Sequence, residues 1–119
     1  MGYIYLLESS NDDGTIYKIG YTKNSIKKRI SSLQTGNPYI IKELCSYKTK
    51  YNQRLEKSLH NFYSHCRLTG EWFSLSLNDI TNFITLCDKL ENNFDNLKNN
   101  HFISKMFWYI KYKYYLCTQ

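Results

Sequence analysis

The sequence GYIYLLESSNDDGTIYKIGY, residues 2–21, contains two strand-like runs separated by a cluster of turn-forming residues. Residues 2–8 and 15–21 are rich in β-branched and aromatic side chains, whereas the Ser, Asn, Asp and Gly residues between them favour a turn. Because side chains alternate between the two faces of a strand, Tyr5 and Lys18 can share one face of the pair. The stretch therefore predicts a β-hairpin.

The rest of the first 97 residues predicts three helices and one more strand. A helix is expected over residues 25–34, ended by the Gly-Asn-Pro sequence, and a strand over residues 40–48. Two further helices are expected within residues 51–66 and 76–95, the last one capped by Ser76 or Asn78. The apolar positions at helical spacing are Ile26, Ile30 and Leu33; Leu55, Leu59, Phe62 and Cys66; and Ile80, Phe83, Ile84, Cys87 and Leu90.

This order of elements predicts an α+β fold, in which a small three-stranded, mainly antiparallel sheet is flanked by helices. We expect one domain over residues 1–97, with the sequence motifs in residues 2–75 and a packing helix over about residues 77–95. Residues 98–119 are basic and aromatic, and we expect them to form a C-terminal helical extension. The GEWF sequence at residues 70–73 predicts an edge strand.

Composition limits the function. The chain has 119 residues, a formal net charge of +6 and a sequence pI near 9.1, with 13 Lys and 3 Arg. A positive field of this kind favours polyanions such as nucleic acid. No apolar run reaches roughly 18 residues, and the N-terminus has no signal-peptide pattern, so we expect an intracellular protein, cytoplasmic or nuclear, with no membrane association. The four cysteines lie far apart without the spacing of a zinc site.

Several short motifs in this order resemble the GIY-YIG nuclease superfamily. They are YIY at residues 3–5, KIG at residues 18–20, Arg29 in the next helix, Glu56 within the LEKSLHNF sequence of the following helix, and the later GEWF sequence. LEKSLHNF and GEWF resemble the phage and viral branch of the superfamily. One tripeptide would be weak support, but five elements in the expected order form a specific signal. The resemblance covers nearly two-thirds of the chain. It implies a GIY-YIG-type endonuclease that hydrolyses phosphodiester bonds in DNA by nicking or double-strand cleavage, and the lysine-, asparagine- and isoleucine-rich composition fits a phage or viral protein.

The resemblance implies catalytic roles for Tyr5, Lys18 and Arg29. Tyr5 is expected to act as general base or to orient the attacking water, with Lys18 lowering the pKa of the phenol or positioning that water. Tyr17 and Tyr21 stay open as alternative bases. Arg29 lies beside the apolar stripe of its helix, where a planar guanidinium suits a phosphate that gains charge.

The resemblance also implies that Glu56 holds the catalytic divalent metal, Mg²⁺ or Mn²⁺. His60 lies four residues later on the same helix face and is expected either to relay a proton or contact phosphate, or only to fill the helix edge. Three lysines near the arginine are expected to follow flanking phosphates, unless they form an ordinary solvated helix face. The predicted nucleic-acid contacts are Lys23, Lys27, Lys28 and Arg29.

Two other functions are compatible with this sequence. The fold can also serve as a catalytically weak nucleic-acid-binding module, or as a protein-interaction domain that uses the aromatic C-terminal segment. A domain of this size has little surface for sequence discrimination, so a homodimer or a targeting partner protein stays open as well.

Overall fold

The computed structural model describes residues 1–99, and the predicted C-terminal extension lies outside this range apart from its first two residues. The domain is an α+β fold, which confirms the predicted class. Its elements in chain order are β1 Gly2–Asn11, β2 Gly14–Thr22, α1 Ile26–Gln34, β3 Ile41–Thr49, α2 Asn52–Phe62, a 3₁₀ turn Ser64–Cys66, β4 Arg67–Thr69, β5 Trp72–Phe73, α3 Leu77–Thr81 and α4 Phe83–Asn99.

The predicted strand number is wrong, because the sheet has five antiparallel strands in the order β3-β1-β2-β5-β4. The two additional strands have only three and two residues, so no period-2 pattern identifies them in the sequence. They are joined by a turn at Gly70, whose positive φ of 57° favours glycine. The predicted edge position of GEWF is also wrong, since β4 forms the edge and β5 lies inside it.

The predicted hairpin forms the centre of the sheet. β1 and β2 pair from Tyr3 opposite Thr22 to Asn11 opposite Gly14, so Asp12 and Asp13 alone make the turn. β3 pairs with the other side of β1, with a bulge where the chain passes Leu6 and Leu7. The central strand is therefore hydrogen-bonded on both sides.

Helices cover both faces of this sheet. The α2 and α4 side contains the larger core, in which Ile4, Ile19, Leu55, Phe83 and other apolar side chains are fully buried. On the opposite face, α1 packs over a smaller cluster of buried residues that consists of Tyr5, Leu7 and Ile41. Its contacts there come from Ile26, Ile30 and Leu33, the predicted apolar stripe. Odd- and even-numbered residues of β1 thus serve two different clusters.

Helix caps follow the sequence closely. Ser25 caps α1 through its side chain, which accepts from the backbone N–H of Lys28. Ser76 caps α3 in a reciprocal capping box with Asp79, which selects Ser76 over Asn78 as the cap. The third predicted helix is divided in two at Asn82, where α3 ends before α4 begins. None of the helices in residues 1–99 is long and apolar enough to cross a membrane.

Candidate active-site cleft

A small polar cleft of about 290 Å³ opens at the end of the hairpin that lies away from its turn. It is built from β1, the end of β2, α1, α2 and the turn between β4 and β5. Its lining residues are Tyr5, Tyr21, Thr22, Lys23, Arg29, Glu56 and Glu71. Three of the predicted catalytic residues, Tyr5, Arg29 and Glu56, therefore lie in one cleft although 51 sequence positions separate the first from the last.

Tyr5 lies at the floor of the cleft with 1% of its surface exposed. It stands opposite Gly20 in the register of the hairpin, and its ring occupies the space that a side chain at Gly20 would need. A Cβ added there would come within 2.6 Å of the phenol carbon Cζ. The glycine of the KIG motif thus allows the tyrosine of the YIY motif to lie flat across β2.

Arg29 contacts the phenol from α1. Its Nε–H donates to the Tyr5 hydroxyl over 3.3 Å, and this hydrogen bond raises the pKa of the already basic Arg29. Arg29 itself is exposed and lines the cleft. A guanidinium carries five N–H donors in a planar fork, so donors other than Nε–H remain for an anionic ligand.

Burial raises the pKa of Tyr5 above its ordinary value of 10, and this effect outweighs the hydrogen bond and positive charge of Arg29. The net pKa of Tyr5 is thus raised, whereas the sequence analysis considered that Lys18 lowers it. The phenol stays protonated at neutral pH, and with its oxygen accepting from Arg29 it can donate its own proton to a ligand in the cleft.

Glu56 reaches the cleft from α2, where it follows the fully buried Leu55. The backbone N–H of Tyr21 at the outer edge of β2 donates to its carboxylate. Partial burial, and then the negative charge of Glu71, raise the pKa of Glu56 to about 7, although the Tyr21 N–H, Lys18 and Arg29 act in the opposite direction. Burial and Glu71 together thus outweigh the nearby positive charges and disfavour the ionised carboxylate.

Thr22 and Glu71 are the two lining residues that were not predicted as site residues, and Glu71 is the charged one. It lies in the turn before β5 and forms an ion pair with Lys18, with 2.9 Å between Nζ and Oε2. Lys18 is buried, on the same sheet face as Tyr5, and its ammonium also lies 5.5 Å from the centre of the Trp72 ring. Lys18 is therefore held by β5 and its turn rather than by Tyr5.

His60 lies next to the strand edge and not among the residues that line the cleft. Its Nε2 lies 2.8 Å from the carbonyl oxygen of Ile19, and its Nδ1 lies 3.1 Å from a terminal nitrogen of Arg67. Since the carbonyl can only accept and the guanidinium can only donate, the neutral ring with its proton on Nε2 satisfies both. Both nitrogens are thus engaged within the fold.

The two alternative bases lie on the core face of β2. Tyr17 stands opposite Phe73 of β5 and packs against the larger core. Tyr21 also packs against that core and its hydroxyl accepts from the side chain of Gln53 over 3.1 Å, although the residue contributes to the cleft wall.

The predicted phosphate-contacting lysines are divided. Lys23 lines the cleft beside Arg29. Lys27 instead lines a separate open groove along α1 with Ile30 and Gln34, and Lys28 is exposed outside both. The structure therefore brings one of the three lysines to the cleft.

The donor set in the cleft suits a hard divalent cation. Within residues 1–99 no group of three or more His, Cys, Asp or Glu side chains is arranged to hold a metal, so a soft, fully protein-ligated site does not form there. Two carboxylates meet in the cleft, and burial together with the charge of Glu71 disfavours the ionised form of Glu56. Mg²⁺ and Mn²⁺ bind through few carboxylates together with water and substrate oxygens, which fits this arrangement.

The fold and the cleft define a small α+β domain that gathers a tyrosine, an arginine and a glutamate at the end of a β-hairpin. A family model for the T5orf172 domain matches residues 2–88, and the chain belongs to the T5orf172 domain family. Neither a curated protein nor a solved structure matches the chain at a significant level.

Proposed function

We propose that this protein is a divalent-metal-dependent endonuclease of the GIY-YIG type, which hydrolyses phosphodiester bonds in DNA. The T5orf172 domain is a phage-origin family associated with GIY-YIG-related endonucleases. The observation that carries the proposal is the meeting of the Arg29 guanidinium, the Tyr5 phenol and the Glu56 carboxylate in one cleft. A cation that binds phosphate, a hydroxyl that orients water and a carboxylate that binds a metal can together promote phosphodiester hydrolysis.

Arg29 is proposed to hold the scissile phosphate. Its Nε–H is engaged by Tyr5, which fixes the plane of the guanidinium, and the other donors can bind two phosphate oxygens. The positive charge opposes the negative charge that grows on the phosphate during attack.

Tyr5 is proposed to orient the attacking water rather than to remove its proton. Its raised pKa makes the phenolate scarce at neutral pH, and a general base works best when its pKa lies near the working pH. The phenol is held by burial and by Arg29, so its hydroxyl has a fixed direction toward the cleft.

Glu56 is proposed to hold the divalent cation. Glu71 adds a second negative charge that acts on Glu56 in the cleft. A cation bound there would supply Lewis-acid activation of the phosphate and neutralise the leaving oxygen. Binding requires the ionised carboxylate, and the Tyr21 N–H keeps that carboxylate directed along the edge of β2.

The test is nicking of supercoiled plasmid by wild type, Glu56→Gln and Glu43→Gln, each with Mg²⁺ and with EDTA. Glu43 is an exposed glutamate on β3 outside the cleft, so its variant makes the same charge change in another place. We expect wild type and Glu43→Gln to nick only with Mg²⁺, and Glu56→Gln to lose at least about 100-fold in rate. Metal-independent nicking, or equal rates for all three proteins, would contradict the proposal. DNA binding without any cleavage would instead favour a nucleic-acid-binding module of the same fold.

A further inference from the structure

The sheet face on which α1 packs carries, beyond the helix, a row of residues that leads away from the cleft. The strand register places Tyr3 of β1 between Thr22 of β2 and Lys48 of β3. Directly opposed residues of antiparallel strands point to the same face, so these three side chains share the face of Tyr5. Thr22 lines the cleft, and Lys48 stands at the far edge of the sheet.

We propose that the backbone of a DNA duplex crosses this face along that row, with Lys48 binding a phosphate outside the cleft. The inference rests on the proposed function, because it takes the cleft as the place of the scissile phosphate. β2 and β3 are two strand spacings apart, on the order of 10 Å, which is the length of about two or three nucleotides along one strand of DNA. Lys48 would thus contact the cleaved strand two or three nucleotides from the scissile bond.

The surroundings leave this row open. The apolar cluster under α1 consists of Tyr5, Leu7 and Ile41 with side chains of α1, and Tyr3 is not part of it. In the adjoining row, Tyr5 is flanked by Gly20 and by the exposed Ser46, both of which are small. The half-buried Tyr3 is the one large side chain of the row Thr22, Tyr3 and Lys48, and a backbone can approach beside it over the small residues Gly20 and Ser46.

Charge also favours this path. Lys48 is exposed and forms no ion pair within residues 1–99, whereas the nearby Lys50 lies 3.3 Å from a carboxylate oxygen of Asp95. The acidic residue of β3 on the same face, Glu43, stands opposite Leu7, two rows away from Lys48. A row with an uncompensated lysine at one end and Lys23 and the cleft at the other suits a polyanion.

β3 supplies a matched control. Lys42 is exposed on the same strand, but it stands opposite Glu8 and therefore points to the other face of the sheet. Removing Lys42 changes the net charge of the protein by the same amount as removing Lys48. A general electrostatic effect would affect both variants equally.

The experiment measures binding of a short DNA duplex, as a function of salt and in EDTA, to wild type, Lys48→Ala, Lys48→Arg and Lys42→Ala. We expect Lys48→Ala to bind roughly threefold to tenfold more weakly at low salt, and its slope of log K against log salt to be smaller by about 0.9, the value of one phosphate contact. Lys48→Arg should keep the wild-type slope, and Lys42→Ala should match wild type. If wild type binds and the two alanine variants are equal, the row is not the DNA path, although the proposed function survives. If wild type does not bind DNA at low salt, both the path and the proposed function fail.

Discussion

Replacing Glu56 by glutamine should abolish cleavage and at the same time stabilise the fold at alkaline pH. Glutamine has nearly the same shape and keeps an oxygen that can accept from the Tyr21 N–H, but it removes the negative charge. The environment raises the pKa of Glu56 from its ordinary 4.5 to about 7, because burial and Glu71 disfavour the ionised form. The native protein therefore carries an unfavourable charge at pH 8.

The expected gain in the free energy of unfolding follows from the difference between the two pKa values of Glu56. Each pKa unit is worth about 1.4 kcal/mol, so a rise from 4.5 to about 7 sets an upper limit of about 3 kcal/mol. Glu56 is only partly buried, and solvent screening reduces the expected gain for Glu56→Gln to about 1 to 2 kcal/mol.

The sign of the pH dependence is fixed by linkage. Between pH 4.5 and 7 the folded state binds more protons at Glu56 than the unfolded state does, so this residue lowers stability as pH rises through that window. The advantage of Glu56→Gln should be fully developed at pH 8 and fall to about a quarter at pH 5.

The assay is urea unfolding of wild type, Glu56→Gln and Glu43→Gln at both pH values without metal. Glu43→Gln should show no gain that depends on pH. A Glu56→Gln protein that is less stable than wild type at pH 8, or equally stabilised at both pH values, would refute the reasoning that burial and Glu71 disfavour the ionised Glu56. Mg²⁺ should raise the stability of wild type at pH 8 and that of Glu56→Gln much less, because a ligand that binds only the folded state stabilises it by mass action.

Three further substitutions test the supports of the cleft. Gly20→Ala should lower stability by about 2 kcal/mol and disturb the near-ultraviolet tyrosine signal, since the new Cβ overlaps the enclosed ring of Tyr5; an unchanged melting temperature would contradict this packing. His60→Ala should lower the free energy of unfolding in urea by about 1 to 2 kcal/mol, because the Ile19 carbonyl loses its hydrogen-bond donor. The nicking rate per folded molecule should stay the same, and a folded variant with a tenfold lower rate would show that this histidine takes part in catalysis. Glu71→Gln should lower the free energy of unfolding by about 1 kcal/mol, because the buried ammonium of Lys18 loses its ion-pair partner; the loss is small since Glu71 is partly exposed. In 1 M salt the stability difference between wild type and variant should shrink, and a loss that does not depend on salt would argue against the ion pair as its cause.

Local patterns predicted most of the fold. The hairpin, α1, β3 and α2 have bounds within a few residues of those expected, because each carries a periodic apolar pattern and a recognisable end. β4 and β5 escaped because strands of three and two residues have no period of their own and are stabilised by pairing with β2. The break at Asn82 escaped for a related reason, since the apolar spacing of α3 and α4 continues across it.

The limits on the site have the same origin. Tyr5 and Arg29 lie in motifs on β1 and α1, which are separated only by β2 in the chain. Their contact could therefore be expected from the sequence. Glu71 depends on the pairing of Lys18 with Trp72 across β2 and β5, a contact between residues far apart in the chain. In the same way, the engagement of both nitrogens of His60 depends on a strand edge that no local pattern describes.

The outer edge of β2 gives a structural reason for Glu56, the residue proposed to hold the metal, to occupy this position in α2. β5 covers this edge only beside Tyr17 and Lys18, and farther along, the polar groups of the strand must find other partners. The Ile19 N–H donates to the carbonyl oxygen of Glu71 in the turn before β5. α2 supplies two further partners, because His60 bonds to the Ile19 carbonyl and Glu56 accepts from the Tyr21 N–H. Glu56 thus closes the sheet edge and faces the cleft with the same carboxylate. An alanine at this position would remove both functions together, whereas glutamine keeps the edge bond and removes only the charge. A loss of cleavage in the glutamine variant, accompanied by a gain in stability at pH 8, would therefore separate the chemical role of this residue from its structural one.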